Sequence, residues 1–249
     1  MEGKLIMRAV QYKSYGRGAD GLKHVENQVP TVFIKLEATS LNPLDLKFQK
    51  GVARPFVPRR FPVIPCTDVA GEVVEIVGGF AEYAVAKESL TVQRTKEVSA
   101  AECAGLPVAA ITAHKSLVEI SGIKLDGSGP PKFGDVTCGA CNIEFVKSFG
   151  ADEVVDYKTP EGATLKSPSG NMVHCARGIP WSTIEPNLSD RAKLIDLTPG
   201  PLLPLIFIPK EDKELKWHVN LVKEGKIKTR FDSKYPLSKA QDAWAKSLD

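Results

Sequence analysis

Cys138 and Cys141 stand three apart, a C-x-x-C spacing that can carry thiol–disulfide exchange or half of a zinc site. A zinc site needs four spaced ligands and the sequence offers no second pair, so the two thiols read as coincidental residues at a strand-to-helix turn. His174 and Cys175 are adjacent on an apolar run, and neighbours on a strand point to opposite faces, so they cannot act on one substrate atom. Asp45 and Lys47 read by themselves as a surface ion pair, Thr112 as an ordinary helix threonine and Tyr157 as an ordinary strand aromatic. Arg54, Arg59 and Arg60 with Phe56 and Phe61 form a basic, aromatic loop that could meet anionic lipid headgroups, although a solvated loop is the weightier reading. Gly127-Ser128-Gly129 looks like a phosphate turn, but Pro130 and Pro131 follow it and cannot donate N–H groups.

The elements that must position these residues change character along the chain. The first third reads as mostly β: a strand at Ala9–Tyr12, a glycine-rich turn from Tyr15 to Gly21, a half-buried strand at Val32–Ala38 broken by Ser40-Leu41-Asn42-Pro43, and a β-branched strand at Val69–Val77. Four prolines between Ala53 and Pro65 require an irregular loop, and Tyr83–Val85 is a further short strand. At Ser99-Ala100-Ala101-Glu102 a capping box opens a helix, which Pro107 interrupts and which resumes from Val108 to Ile120 before Gly122. From there strands and helices alternate: Asn142 is placed to cap Ile143–Phe149 with Gly150 as its left-handed end, Glu153–Tyr157 is a strand, and Val173–Cys175 and Leu194–Leu197 are buried strands. Leu215–Glu224 is helical, and Ser238-Lys239-Ala240-Gln241 is a second capping box. This half predicts a parallel, doubly wound sheet.

In 249 residues, 33 basic and 30 acidic side chains leave a net charge of +3, which supplies no field for nucleic acid. No apolar run approaches the roughly 20 residues of a membrane-spanning helix; Leu202–Ile208 is short and contains Pro204. The N-terminus carries Glu2 and lacks the features of a cleavable address. Five scattered cysteines imply free thiols in a reducing compartment.

In this order, several segments together resemble the zinc-free quinone oxidoreductase branch of the medium-chain dehydrogenases/reductases. Ser40-Leu41-Asn42-Pro43-Leu44-Asp45-Leu46-Lys47 is similar to the family pattern SxNPxDxK, and Pro62 to Gly71 to PxIPGxDxAG, with Cys66 at the glycine. Leu106 to Ala113 resembles the helix beneath the nicotinamide, and Phe145 to Asp152 the second βα unit. The resemblance implies an α/β protein with a GroES-like β catalytic domain at 1–105, rejoined by 226–249, and a Rossmann-type doubly wound domain at 106–225. It implies a chloroplast-envelope, peripheral protein that reduces quinones or α,β-unsaturated carbonyls (enones, including oxylipin-derived ones) with NADPH and no metal; NADH and a homodimer are also compatible with it. Asn42, Asp45 and Lys47 would line the nicotinamide and substrate side, and Thr112 would sit beneath the carboxamide. Thr137, Cys138 and Gly139 would follow the strand where the adenosine ribose is read, and Tyr157 would pack beside the adenosine. The alcohol-dehydrogenase relatives hold zinc with Cys and His, whereas Cys66 lacks spaced partners here.

Two departures stand against that pattern. The family's nucleotide domain begins with a strand, a glycine-rich turn and a helix that bind the pyrophosphate. Between Leu125 and Val136 there are ten residues, far fewer than the about 30 of a βαβ crossover. Joins at Pro30-Thr31-Val32, Gly78-Gly79-Phe80, Gly170-Asn171-Met172 and Gly200-Pro201-Leu202 imply further shortening. A non-catalytic remnant that acts as a binding or membrane-peripheral protein is therefore the alternative reading. Cys141 stands where plant relatives carry arginine, which weakens selection for a 2′-phosphate.

Overall fold

The computed structural model describes residues 6–28, 33–52, 54, 60–75, 81–84, 86, 90–120, 122, 124, 136–148, 151, 154–163, 172–174, 181–188, 194–197 and 212–247. Val85, Phe149, Gly150, Cys175, Leu202–Ile208 and the ten residues after Leu125 lie outside them. The chain divides into two compact units, Met1–Thr112 with Gly200–Asp249, and Ala113–Pro199.

In the first unit, β1 (Ile6–Gln11) pairs antiparallel with β2 (Lys23–Gln28), from Ile6 opposite Gln28 to Gln11 opposite Lys23. Sequence reading missed β2 because Val25 is its single apolar residue; pairing with the buried β1, rather than its own burial, makes it a strand. β3 (Phe33–Ser40) lies between β4 (Asp68–Glu75) and β5 (Tyr83–Ala84), antiparallel to both. Gly71 sits opposite Leu36 beside a break in register, and a Cβ there would come within 2.1 Å of the Lys35 carbonyl oxygen, so the close approach of the two strands requires glycine.

A helix the sequence reading treated only as a strand break follows β3. In α1 (Pro43–Lys50), Pro43 occupies the first position, where its fixed φ suits a helix. Asn42 is extended (φ −113°, ψ 155°), and its backbone N–H donates to the Asp45 carboxylate at 2.9 Å. Gly51 closes the helix at φ 79°. The Ser99 box is present as expected: the Glu102 amide donates to Ser99 Oγ at 3.3 Å and the Ser99 amide to Glu102 Oε2 at 2.9 Å, opening α2 (Ala100–Ala104). Pro107 then begins α3 (Pro107–His114), which passes into a π-helical stretch over Lys115–Ile120.

The second unit alternates as the sequence implies. β6 (Val136–Cys138) and β7 (Val154–Asp156) are parallel and joined through α4 (Ile143–Lys147), and β7 is followed by α5 (Pro160–Ala163). β8 (Met172–His174) and β9 (Leu194–Asp196) are parallel and joined through α6 (Trp181–Ile184). Asn142 does not cap α4. It ends a 3-10 turn, Ala140–Asn142, and makes no capping bond through its side chain.

The tail belongs to the first unit. α7 (Asp212–Lys223) ends at Gly225, and α8 (Ala240–Lys246) follows a 3-10 turn over Leu237–Lys239. The capping box expected at Ser238 does not form, because Gln241 instead donates from Nε2 to the Leu22 carbonyl at 2.8 Å. That bond seats α8 on the N-terminal β layer, where Trp244 is 0% exposed among Val10, Tyr12, Leu22, Leu46 and Cys66. Trp244→Ala should cost about 3–5 kcal/mol, as for other buried aromatic truncations. Equilibrium urea unfolding checks it, and a loss under 1 kcal/mol would show that α8 is not part of the core.

Candidate active site

Four elements of the first unit converge on one buried carboxylate. Asp68 opens β4 and is 2% exposed. Its Oδ2 accepts from Asn42 Nδ2 at 3.0 Å, from Ser40 Oγ at 3.3 Å and from the Val108 backbone N–H at 2.9 Å. Thr39 Oγ1 donates to the Asp68 carbonyl at 2.7 Å, which fixes the backbone beneath it. Because Val108 is the second residue of α3, Asp68 acts as a remote N-cap, placing negative charge at the helix end where amides lack partners. Burial pushes the Asp68 carboxyl up to about 6, partly offset by the bonds from Val108, Asn42, Ser40 and Thr67.

Asn42 also donates from Nδ2 to Ser40 Oγ at 3.0 Å, so both of its amide protons are engaged. Asp45, 3% exposed, holds the Asn42 backbone. Lys47, half-buried, lies two residues further along α1, and Thr112, also half-buried, stands one helical turn beyond Val108 on α3. The structure thus joins Asn42 and Asp45 directly and ties the helix of Thr112 to them through Asp68. Sequence reasoning quoted Asp68 inside a motif without giving it a role. A lone acidic residue at the start of a β-branched strand was the available signal.

Cys66 stands two residues before Asp68 with φ 70°, a conformation that favours the glycine of the family pattern. Cys66 is 6% exposed, and burial together with the charges of Asp45 and Asp68 pushes its thiol well above the ordinary thiol range, so it stays neutral.

In the second unit the residues at the carboxyl ends of β6 and β7 meet. The Tyr157 amide donates to the Cys138 carbonyl at 3.1 Å, and a Cβ on Gly139 would lie 3.7 Å from the Tyr157 ring, so the ring rests over the glycine turn. Tyr157 is 41% exposed, with Lys158 Nζ 5.8 Å from its ring centre. Thr137 is exposed and Cys138 half-buried. Burial, with Asp156 and Cys141 nearby, raises the Cys138 thiol, and both cysteines of the spacing are free. The carboxyl ends of parallel strands are where α/β sheets present ligand-reading loops.

Other sequence candidates resolve otherwise. His174 is buried on β8 while Cys175 lies outside the described residues. Arg54 stacks on the Tyr15 ring at 5.6 Å and Phe61 packs edge-on against Tyr15 at 4.8 Å, so this part of the basic loop folds onto the protein. Arg59 and Phe56 lie outside the described residues. A cavity of about 900 Å³ in the first unit touches the Asp68 network through Thr39, Ser40 and Asn42; its other walls include Arg230, Phe231 and Tyr235.

No protein-family model matches the chain. It is 52% identical, over 320 aligned positions, to the chloroplast envelope quinone oxidoreductase homolog of Arabidopsis thaliana, covering all of this chain and 97% of that protein. About 71 of those positions (320 less 249) have no residue here, which agrees with internal shortening. It is 28% identical to the chloroplastic NADPH-dependent alkenal/one oxidoreductase of Arabidopsis thaliana, over 96% of this chain and 76% of that one. Among solved structures it is similar in fold to the quinone oxidoreductase from Coxiella burnetii, with a TM-score of 0.75 at 20% identity, covering 98% and 96% of the two chains.

The raised Asp68 carboxyl has a consequence for stability. Its ordinary value is 3.8 and its folded value about 6, so the folded chain binds the proton more tightly than the unfolded chain. The stabilisation is therefore full below the unfolded value and is lost as pH rises through about 6. Between pH 4.5 and 7.5, wild type should lose on the order of 2 kcal/mol relative to Asp68→Asn in urea unfolding. Parallel curves for the two proteins would refute this.

Proposed function

Because the chain belongs to the quinone oxidoreductase family of the medium-chain dehydrogenases/reductases, we propose that it reduces quinones or α,β-unsaturated carbonyls by metal-free hydride transfer from NADPH. It is an oxidoreductase and a chloroplast protein of that group, and no helix among the described residues is long and apolar enough to cross a membrane. The observation that carries the proposal is the buried network in which one carboxylate oxygen holds both Asn42 and the first turn of α3. Such preorganisation is costly to maintain in a protein interior and suits a site that must orient a reactant.

Each unit, taken by itself, carries residues whose chemistry suits one part of the cofactor. At the nicotinamide end, both amide protons of Asn42 are engaged, leaving its carbonyl oxygen as the acceptor it can offer. Asp45 holds the backbone of Asn42, Lys47 would supply a cation for cofactor or substrate oxygens, and Thr112 would lie under the carboxamide. At the adenosine end, Tyr157 offers a ring face over Gly139, flanked by Thr137 and Cys138, with the Lys158 ammonium close to the ring. Bound NADPH would supply the hydride, and the chain's part is to align the acceptor and exclude water. For the two halves of the chain we keep the division implied by family resemblance: a GroES-like domain at 1–105 with 226–249, and a Rossmann-type domain at 106–225 without its first βα unit. Fatty or oxylipin-derived enones, and a peripheral position at the envelope, complete the proposal.

A second reading, a non-catalytic remnant, rests on the absence of a glycine-rich pyrophosphate turn from the sequence. Fluorescence titration with NADPH separates the two. The reductase reading expects saturable binding that Tyr157→Ala weakens at least fivefold, whereas no saturation at millimolar NADPH favours the remnant. Cys141→Arg should restore a guanidinium beside the adenosine ribose and raise the NADPH-to-NADH affinity ratio at least tenfold; an unchanged ratio would remove this turn from cofactor selection.

A further inference from the structure

We infer that Asp68 is a positioning residue for this site: it fixes the Asn42 amide and the first turn of α3 against one another, and so sets the spacing between Asn42 and Thr112. This rests on the reductase reading above for its meaning, and on the geometry for its substance. A single oxygen, Oδ2, accepts from Asn42 Nδ2 at 3.0 Å and from the Val108 amide at 2.9 Å. Asn42 belongs to the start of α1, Val108 to the start of α3, and the two residues are 66 positions apart in sequence. Thr112 follows Val108 by one turn, so a shift of the helix start moves Thr112 with it.

The surroundings make Asp68, rather than another group, the pivot. β3 brings the hydroxyls of Ser40 and Thr39, both donating to Asp68. α1 brings Asp45, whose carboxylate is committed to the Asn42 backbone. The turn before β4 brings Cys66, whose neutral thiol adds no charge. α2 brings Glu102, which is engaged by Ser99. α3 brings a backbone donor rather than a side-chain charge.

An ionised Asp68 is an acceptor only and can receive both donors at once. Asparagine has nearly the same shape, and its carbonyl oxygen can stand where Oδ2 stands, but as a neutral acceptor it grips both donors more weakly than a carboxylate does. Protonation of Asp68 loosens the same contact. Burial holds this carboxyl near 6, so the loosening falls within a range that experiment can reach.

Two measurements test the inference. In the unmodified chain labelled with 15N, the Val108 backbone amide and the Asn42 side-chain amide should shift together, with a common midpoint near pH 6. In steady-state reduction of a water-soluble benzoquinone by NADPH at pH 7.5, Asp68→Asn should lower kcat at least tenfold, leave KM for NADPH within threefold, and leave Tm no lower than in wild type. A merely structural role predicts the reverse, a lowered Tm with kcat per folded molecule retained. The inference is overturned if kcat stays within twofold of wild type, or if the two amides fail to titrate together. If wild type reduces no quinone, the reductase reading fails, and the amide titration still decides whether Asp68 couples Asn42 to α3. Should the variant not fold, the same titration of the unmodified chain decides it.

Discussion

An ionisable carboxylate taken out of water is the constraint around which the first unit is arranged. Burying the Asp68 charge is expensive, and the chain offsets that cost by aiming three donors at one oxygen. Each donor comes from a different element, so satisfying the charge also docks the end of β3, the start of α1 and the start of α3. A core of aliphatic side chains would bring those elements together with looser registration, since apolar contact is non-directional.

Around that polar centre the apolar core is built by pieces distant in sequence. Trp244, near the end of the chain, packs beside Val10 and Tyr12 from its beginning, and Gln241 fastens its helix to the Leu22 carbonyl. Thr229 Oγ1 donates to the Glu102 carbonyl at 3.0 Å, which ties the tail to α2 as well. The polar centre lies close against this core: Cys66, in the Trp244 cluster, is separated from Asp68 by one residue, and Leu46 adjoins Asp45. Stability and site geometry are therefore coupled, which is the usual setting for a trade between them.

The second unit is simpler and more local. Its two parallel strand pairs carry mostly half-buried residues, and its candidate binding ledge is made by one turn and one aromatic ring. Its chemistry depends on neighbours in sequence: Thr137, Cys138 and Gly139 are consecutive, and Tyr157 follows the paired strand.

What the sequence determined by itself was whatever rests on local chemistry. The Ser99 box, the stop at Pro107, the alternation of strand and helix after Val136 and the ordered motifs at Asn42 and Asp68 are all legible because capping, proline geometry and hydrophobic period act over a few residues. Tertiary structure decided the rest. β2 exists because β1 pairs with it, α1 is a helix because Asp45 and Pro43 act together, and the expected caps at Asn142 and Ser238 give way to other contacts. Asp68 shows the limit most plainly. Its neighbours in sequence could mark it as the start of a strand, but its meaning comes from Ser40, Asn42 and Val108, and only the fold brings donors that far apart in the chain to one oxygen.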